Sequence, residues 1–155
     1  MIKKLFKYFK VVDIDVIIYL MDSQSLTEFP SLNYKIEENR ISDNKKQFFI
    51  KIGDAIIHES FLFKKLFVLQ LINKKGPTIG DCKTSDAFKG KSIYPFVINH
   101  IARAEILNHN RKEVFIIVNP NNLSSIKGIE KAGFRIHTKI KAKRFLIFHF
   151  KVNKF

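Results

Sequence analysis

The chain has 155 residues, 46% of them apolar, with 16 phenylalanines and a formal charge of +14. That length and apolar content fit one domain, residues 1–155, with a real core, and exclude a disordered chain. The charge admits nucleic acid, a membrane surface or an anionic ligand as partner. However, 23 of the 28 basic residues are lysines, and bidentate readers of bases and phosphates are usually arginines.

Met1 to Val12 is basic through Lys3, Lys4, Lys7 and Lys10. It reads either as a segment leading into the sheet or as a contact for an anionic membrane. Asp13 and Asp15 break its apolar stretch, and the run Val16 to Met21 is too short for a signal-peptide core or a membrane span. Cys82 is the single cysteine, so no internal disulfide forms, which suits a reducing compartment. A cytoplasmic protein without stable membrane insertion is expected. The five histidines (58, 100, 109, 137 and 149) are scattered, and no zinc spacing appears.

Val11 to Met21 alternates roughly as a strand. Ser23 to Asn44 is polar and reads as loop with one or two helical turns. Gln47 to Ile52 and Ala55 to Leu62 are strand-like, and Gly53-Asp54 between them suits a type II′ hairpin. Phe63 to Ile72 is apolar, either strand or helix. After the turn Lys74 to Pro77 come a strand, Thr78 to Thr84, and a helix, Ser92 to Asn108, with Ile93, Val97, Ile101, Ala104 and Leu107 as its buried face. Glu113 to Val118 is a buried-type strand. Asn122 reads as the N-cap of a further helix that Gly133 closes, with Leu123, Ile126 and Ile129 on one face. Phe134 to Lys141 and Arg144 to Val152 are final strands. The helix between strands 78–84 and 113–118 makes that pair parallel through a right-handed crossover.

Lys89-Gly90-Lys91-Ser92-Ile93-Tyr94 joins strand to helix. A basic, glycine-containing turn that opens a helix suits an anion, because the first helical N–H groups lack intrahelical partners and carry partial positive charge. Ser92 is a natural N-cap, and Pro95 fits the first turn. The same residues also read as a well-capped surface loop. Gly90-Lys91-Ser92 looks like the end of a P-loop, but that motif needs glycine where Ser85 stands.

The loop, taken with Asn119-Pro120-Asn121-Asn122 and the helix ending Gly133-Phe134, resembles the GNAT family of acyl-CoA-dependent N-acyltransferases. The specific matches lie within 84–94 and 119–134. The family's Q/R-x-x-G-x-G/A loop falls on Lys89, Ser92 and Tyr94, and all three marked positions are replaced. The resemblance implies an α/β fold: a mixed, mostly antiparallel central sheet with one parallel, splayed pair and flanking helices. It also implies acetyl-CoA as cosubstrate and a small amine as acceptor. Pantetheine would lie in the splay against backbone near Cys82 and Thr84. N–H groups from Gly90, Lys91, Ser92, Ile93 and Tyr94 would hold the pyrophosphate beside the charge of Lys89, and Asn122 and Ser125 would line the far side. An amine of a cell-surface amino sugar is the acceptor favoured by analogy.

Many family members use a tyrosine on the second helix as general acid, and that position is Ile129 here. Three residues are candidates instead. Asp81 could take the ammonium proton or be a solvated strand-edge acid. His58 could be a base or simply packed. The Tyr94 phenol could meet the ligand or the core. Gly128 in mid-helix implies close approach of either cofactor or a packed neighbour. A catalytically silent acyl-CoA binder and a basic nucleic-acid module are the alternatives. The latter rests on the seven basic and no acidic residues of 135–155, whose alternation also reads as one solvated strand face. Nucleic acid is not the expected partner, and a homo-oligomer is left open.

Overall fold

The computed structural model describes residues 11–145 and 148–155. The basic segment 1–10, and with it the choice between sheet-leading segment and membrane contact, lies outside the described residues.

Eight strands form one sheet: β1 (Val12–Asp22), β2 (Glu37–Arg40), β3 (Lys45–Ile52), β4 (Ala55–Phe63), β5 (Thr78–Thr84), β6 (Glu113–Val118), β7 (Arg135–Phe145) and β8 (Phe148–Lys154). Their spatial order is β2-β3-β4-β5-β6-β1-β7-β8. Neighbours are antiparallel except β5 and β6, which run parallel. A parallel pair needs a long crossover, and helix α1 (Ile93–Leu107) supplies it. The mixed α/β architecture is thus the expected one. β1 lies between β6 and β7, so Ile17 to Met21 are buried without alternation.

One sheet face carries α1 and α2 (Leu123–Lys131). Val97, Ile98, Ile101 and Ile129 pack there against Tyr19, Ile79 and Ile116. On the opposite face Leu69 covers Ile18, Leu20, Phe115 and Ile140. Leu69 belongs to a 3-10 turn, Phe67–Ile72, so the ambiguous run ends a strand and then lids the second face. A fully buried side chain of this size stabilises by roughly 1.5–3 kcal/mol, which makes these two layers the main support of the sheet.

Several local expectations need correction. Segment 23–44 forms a turn at 22–25, tied by Asp22 and Ser25, and then strand β2; it contains no helical turn. On α1, Leu107 is 58% exposed, while Ile98, Ala102, Glu105 and Ile106 join Ile93, Val97 and Ile101 in the buried stripe. The helix therefore packs on a wider set of i, i+4 rows that turns Leu107 away. Leu123 is likewise exposed, leaving Ile129 as the fully buried residue of α2. β7 runs on through Phe145, past the break expected at 142–143.

The end of α2 is set by Gly133 at φ +96°. The Phe134 N–H reaches the Ile129 carbonyl and the Gly133 N–H that of Glu130, a Schellman closure. A Cβ on Gly133 would stand 2.2 Å from Thr27 Oγ1, whereas one on Gly53 (φ +57°) would meet nothing within 4 Å. Left-handed strain alone costs about 1–2 kcal/mol. Gly133→Ala should therefore lower the melting temperature clearly more than Gly53→Ala; equal losses would show that Thr27 yields without cost.

Candidate functional site

β5 and β6 are paired only at Thr78–Phe115 and Ile79–Ile116. Beyond Ile79 they part, and β5 continues alone with β4. The pairing with β4 explains the divergence. Phe61 faces Gly80 and Glu59 faces Lys83, so Asp81 and Cys82 together stand opposite Ser60. This is a β-bulge, which bends and twists its strand. Asp81 takes the left-handed conformation there, φ +50°, a cost tolerated by few residues other than Gly, Asn and Asp.

Past β5 the backbone curls. Ser85 donates its N–H and its hydroxyl to the Ile57 carbonyl, at 2.9 and 3.2 Å. Gly90 has φ +76° and Ser92 φ +62°. Ser92 occupies the N-cap position of α1 but caps nothing with its side chain. Its Oγ instead accepts from Lys131 Nζ at 2.7 Å, tying the loop to α2. Asn122 is the true side-chain cap: its Oδ1 accepts from the Ser125 N–H at 3.2 Å.

These pieces enclose an open cavity of about 700 Å³, within the usual range for small-ligand sites. Cys82, Thr84, Lys89, Gly90, Ser92, Ile93, Tyr94 and Ser125 line it. Lys91 and Asn122 do not: Lys91 Nζ lies 4.7 Å over the Phe88 ring, and Asn122 is spent on its helix. Sequence reasoning missed Lys83, Lys127 and Lys131 on the walls. The two from α2 are spaced i, i+4, a signal that places them on one helical face.

The three acid/base candidates separate. Asp81 lies off the cavity, paired with Lys45 Nζ at 3.1 Å. His58 is buried behind the wall, with Nδ1 2.8 Å from Thr84 Oγ1 and Nε2 2.8 Å from Ser60 Oγ. Burial lowers its pKa to about 4, so the ring is neutral near pH 7. Tyr94 lines the cavity itself. Burial, then the neighbouring Cys82 thiol, raises its pKa well above the ordinary phenol value, so it keeps its proton. Burial also pushes Cys82 up to about 12, and its thiol donates to the Gly80 carbonyl at 3.5 Å. A neutral thiol at that pKa is no nucleophile.

Gly128 explains where Tyr94 sits. A Cβ there would lie 2.5 Å from Tyr94 Cδ1 and 2.8 Å from Cε1. The close approach inferred from sequence is thus made by a packed neighbour, the Tyr94 ring. Gly128→Ala should lower thermal stability although alanine favours helix by about 0.5–1 kcal/mol. In a Tyr94→Ala background the same change should raise it. The same sign in both backgrounds would show that the ring contact does not govern the cost.

His58 also fixes a pH dependence. Its folded pKa, about 4, lies below the ordinary 6.5, so the unfolded chain binds the proton first. Stability therefore falls as pH drops from 6.5 towards 4, by about 3 kcal/mol from this group. Denaturant unfolding at pH 7 and pH 4.5 should show a loss that is visibly smaller in His58→Gln; an unchanged loss would place it on other groups.

No family model and no curated protein matches the sequence. Among solved structures, an acetyltransferase from the GNAT family from Colwellia psychrerythraea superposes with a TM-score of 0.58 at 12% identity, over 88% of this chain and 57% of that one. The present chain thus spans little more than half of that protein's length, and the likeness is one of fold. The eight-stranded mixed sheet with its one parallel pair is thus a GNAT-like fold.

Proposed function

We propose that the chain is an N-acyltransferase that moves an acetyl group from acetyl-CoA to an amine. The observation that carries this reading is the gap between β5 and β6, opening beside a lysine-walled helix start. The unpaired stretch of β5 offers backbone partners for pantetheine amides next to Cys82 and Thr84. First-turn N–H groups of α1, with Lys89, Lys127 and Lys131, suit the pyrophosphate. Acetyl-CoA supplies an acyl group activated as a thioester.

The protein's part is positioning and proton handling. The amine nitrogen bonds to the carbonyl carbon, and the carbon–sulfur bond breaks. Tyr94 donates its phenolic proton to the departing sulfur, and the proton shed by nitrogen returns to the phenolate through water. Burial keeps the phenol protonated at neutral pH, so Tyr94 has a proton to give, although the same burial makes it a weaker acid than a free tyrosine. Tyr94 on α1 thus takes the role that Ile129, buried in the core, cannot fill on α2. The Ser-x-x-x-x-Glu-Lys-Ala-Gly-Phe run of α2 supports an amino sugar of a surface polysaccharide as acceptor, by analogy alone.

A silent acyl-CoA binder is the second reading, favoured by Ile129. The nucleic-acid reading is weakened, because Lys143 and Lys141 of β7 are matched by Asp13 and Asp15 at 3.0 and 3.8 Å.

Acetyl-CoA at a hundredfold excess over its Kd should stabilise the fold by about 2.7 kcal/mol, and Lys127→Ala with Lys131→Ala should shrink that shift at fixed ligand. No shift in the parent protein would sink the proposal. Tyr94→Phe should lower kcat by roughly a hundredfold with little change in KM. Binding without turnover on any amine would select the silent reading, and an unchanged kcat would mean thiolate leaves unaided.

A further inference from the structure

A second hollow lies at the opposite end of β5. Pro77, just before the strand, lines it, whereas Thr84 lines the acyl-transfer cavity. The seven-residue strand sets Pro77 and Thr84 roughly 20 Å apart. This cleft has a volume of about 830 Å³, again the size of a small-ligand site. Leu62, Leu66 and Leu69 give it an apolar floor.

Its walls are cationic. Eight lysines and arginines line it against a single carboxylate, Glu105. Glu105 is neutralised locally, 2.9 Å from His109 Nδ1 and 3.8 Å from Arg111 Nε. Lys45 and Lys74 are held by Asp81 and Glu113 at 3.1 and 2.6 Å. Arg40 and Lys46 pair with Asp43 and Glu38. Among the described residues, Lys64, Lys65 and Lys75 have no carboxylate partner. All three are exposed, and they come from two separate loops, after β4 and before β5. Like charges brought together repel, and a concave wall of one sign focuses its field on a counter-ion.

From this we infer that the cleft is a second binding site, for a compact polyanion bearing several phosphate groups. Lysines acting as point charges serve phosphate without demanding bidentate geometry. The surplus charge converges on one hollow rather than tracking along a strand, which favours a compact ligand over an extended nucleic acid.

The test is calorimetric titration of the full chain with inositol hexakisphosphate as probe, repeated in saturating acetyl-CoA. One equivalent should bind in both cases. Lys64→Ala, Lys65→Ala and Lys75→Ala together should weaken binding by roughly tenfold or more. A charge-matched control, Lys35→Ala, Lys51→Ala and Lys139→Ala, should stay close to the parent. The single variants are measured too, so the result does not depend on the triple variant folding. Equal losses in the two triple variants would overturn the proposal, as would a loss confined to Lys127→Ala with Lys131→Ala. Tighter, cleft-dependent binding of oligothymidylate or of phosphatidylserine vesicles would overturn the ligand class. Because the probe contains no pantetheine, these outcomes stand apart from the fate of the acyltransferase reading.

Discussion

One extra residue in β5 sets the geometry on which the site depends. With Asp81 and Cys82 sharing the place opposite Ser60, β5 is turned from β6 after a short parallel contact. A parallel pair that stayed in register to its end would close its own ladder and leave no gap. The bulge therefore converts an ordinary crossover unit into a fork, and α1 begins at the tip of one prong. Asp81 holds the left-handed backbone that this turn requires, and its carboxylate is engaged by Lys45. Its contribution is conformational.

Behind the fork, polar groups are linked in a chain. Thr84, His58 and Ser60 bond in sequence, and Cys82 contacts Ser60 and Tyr94. All are neutral, so the network orders the wall without burying a charge, whose desolvation would be costly. Tyr94 ends this chain at the cavity and rests on Gly128. Wall and floor of the site are consequently positioned by the same ring.

The pattern of elements was legible wherever a physical signal was local. Thr78–Thr84 matches its expected bounds because turn residues flank it on both sides. Asn122 and Gly133 mark α2 because caps are read from single residues. Reading failed where the determining partner was distant. Ser92 looked like a cap, but its hydroxyl is taken by Lys131 from another helix. Segment 23–44 showed no periodicity, since its order comes from outside: Asn99 of α1 donates to the Thr27 carbonyl, and Thr27 packs against Gly133. The bulge at Asp81 was equally hidden, because it is a mismatch of register between two strands and belongs to neither alone.

The two rims of the sheet differ in a way that bears on how copies of the chain behave when crowded. β2 is four residues long, Glu-Glu-Asn-Arg, and mostly exposed. At the far rim β8 is kinked: its register with β7 slips between Lys141 and Lys143, and Lys151 sits at φ +51°. A short charged ribbon on one side and a bent one on the other are poor templates for strand addition. Sheet-to-sheet growth is thus discouraged at both ends, and a nascent or concentrated population of this phenylalanine-rich chain is steered from filament formation.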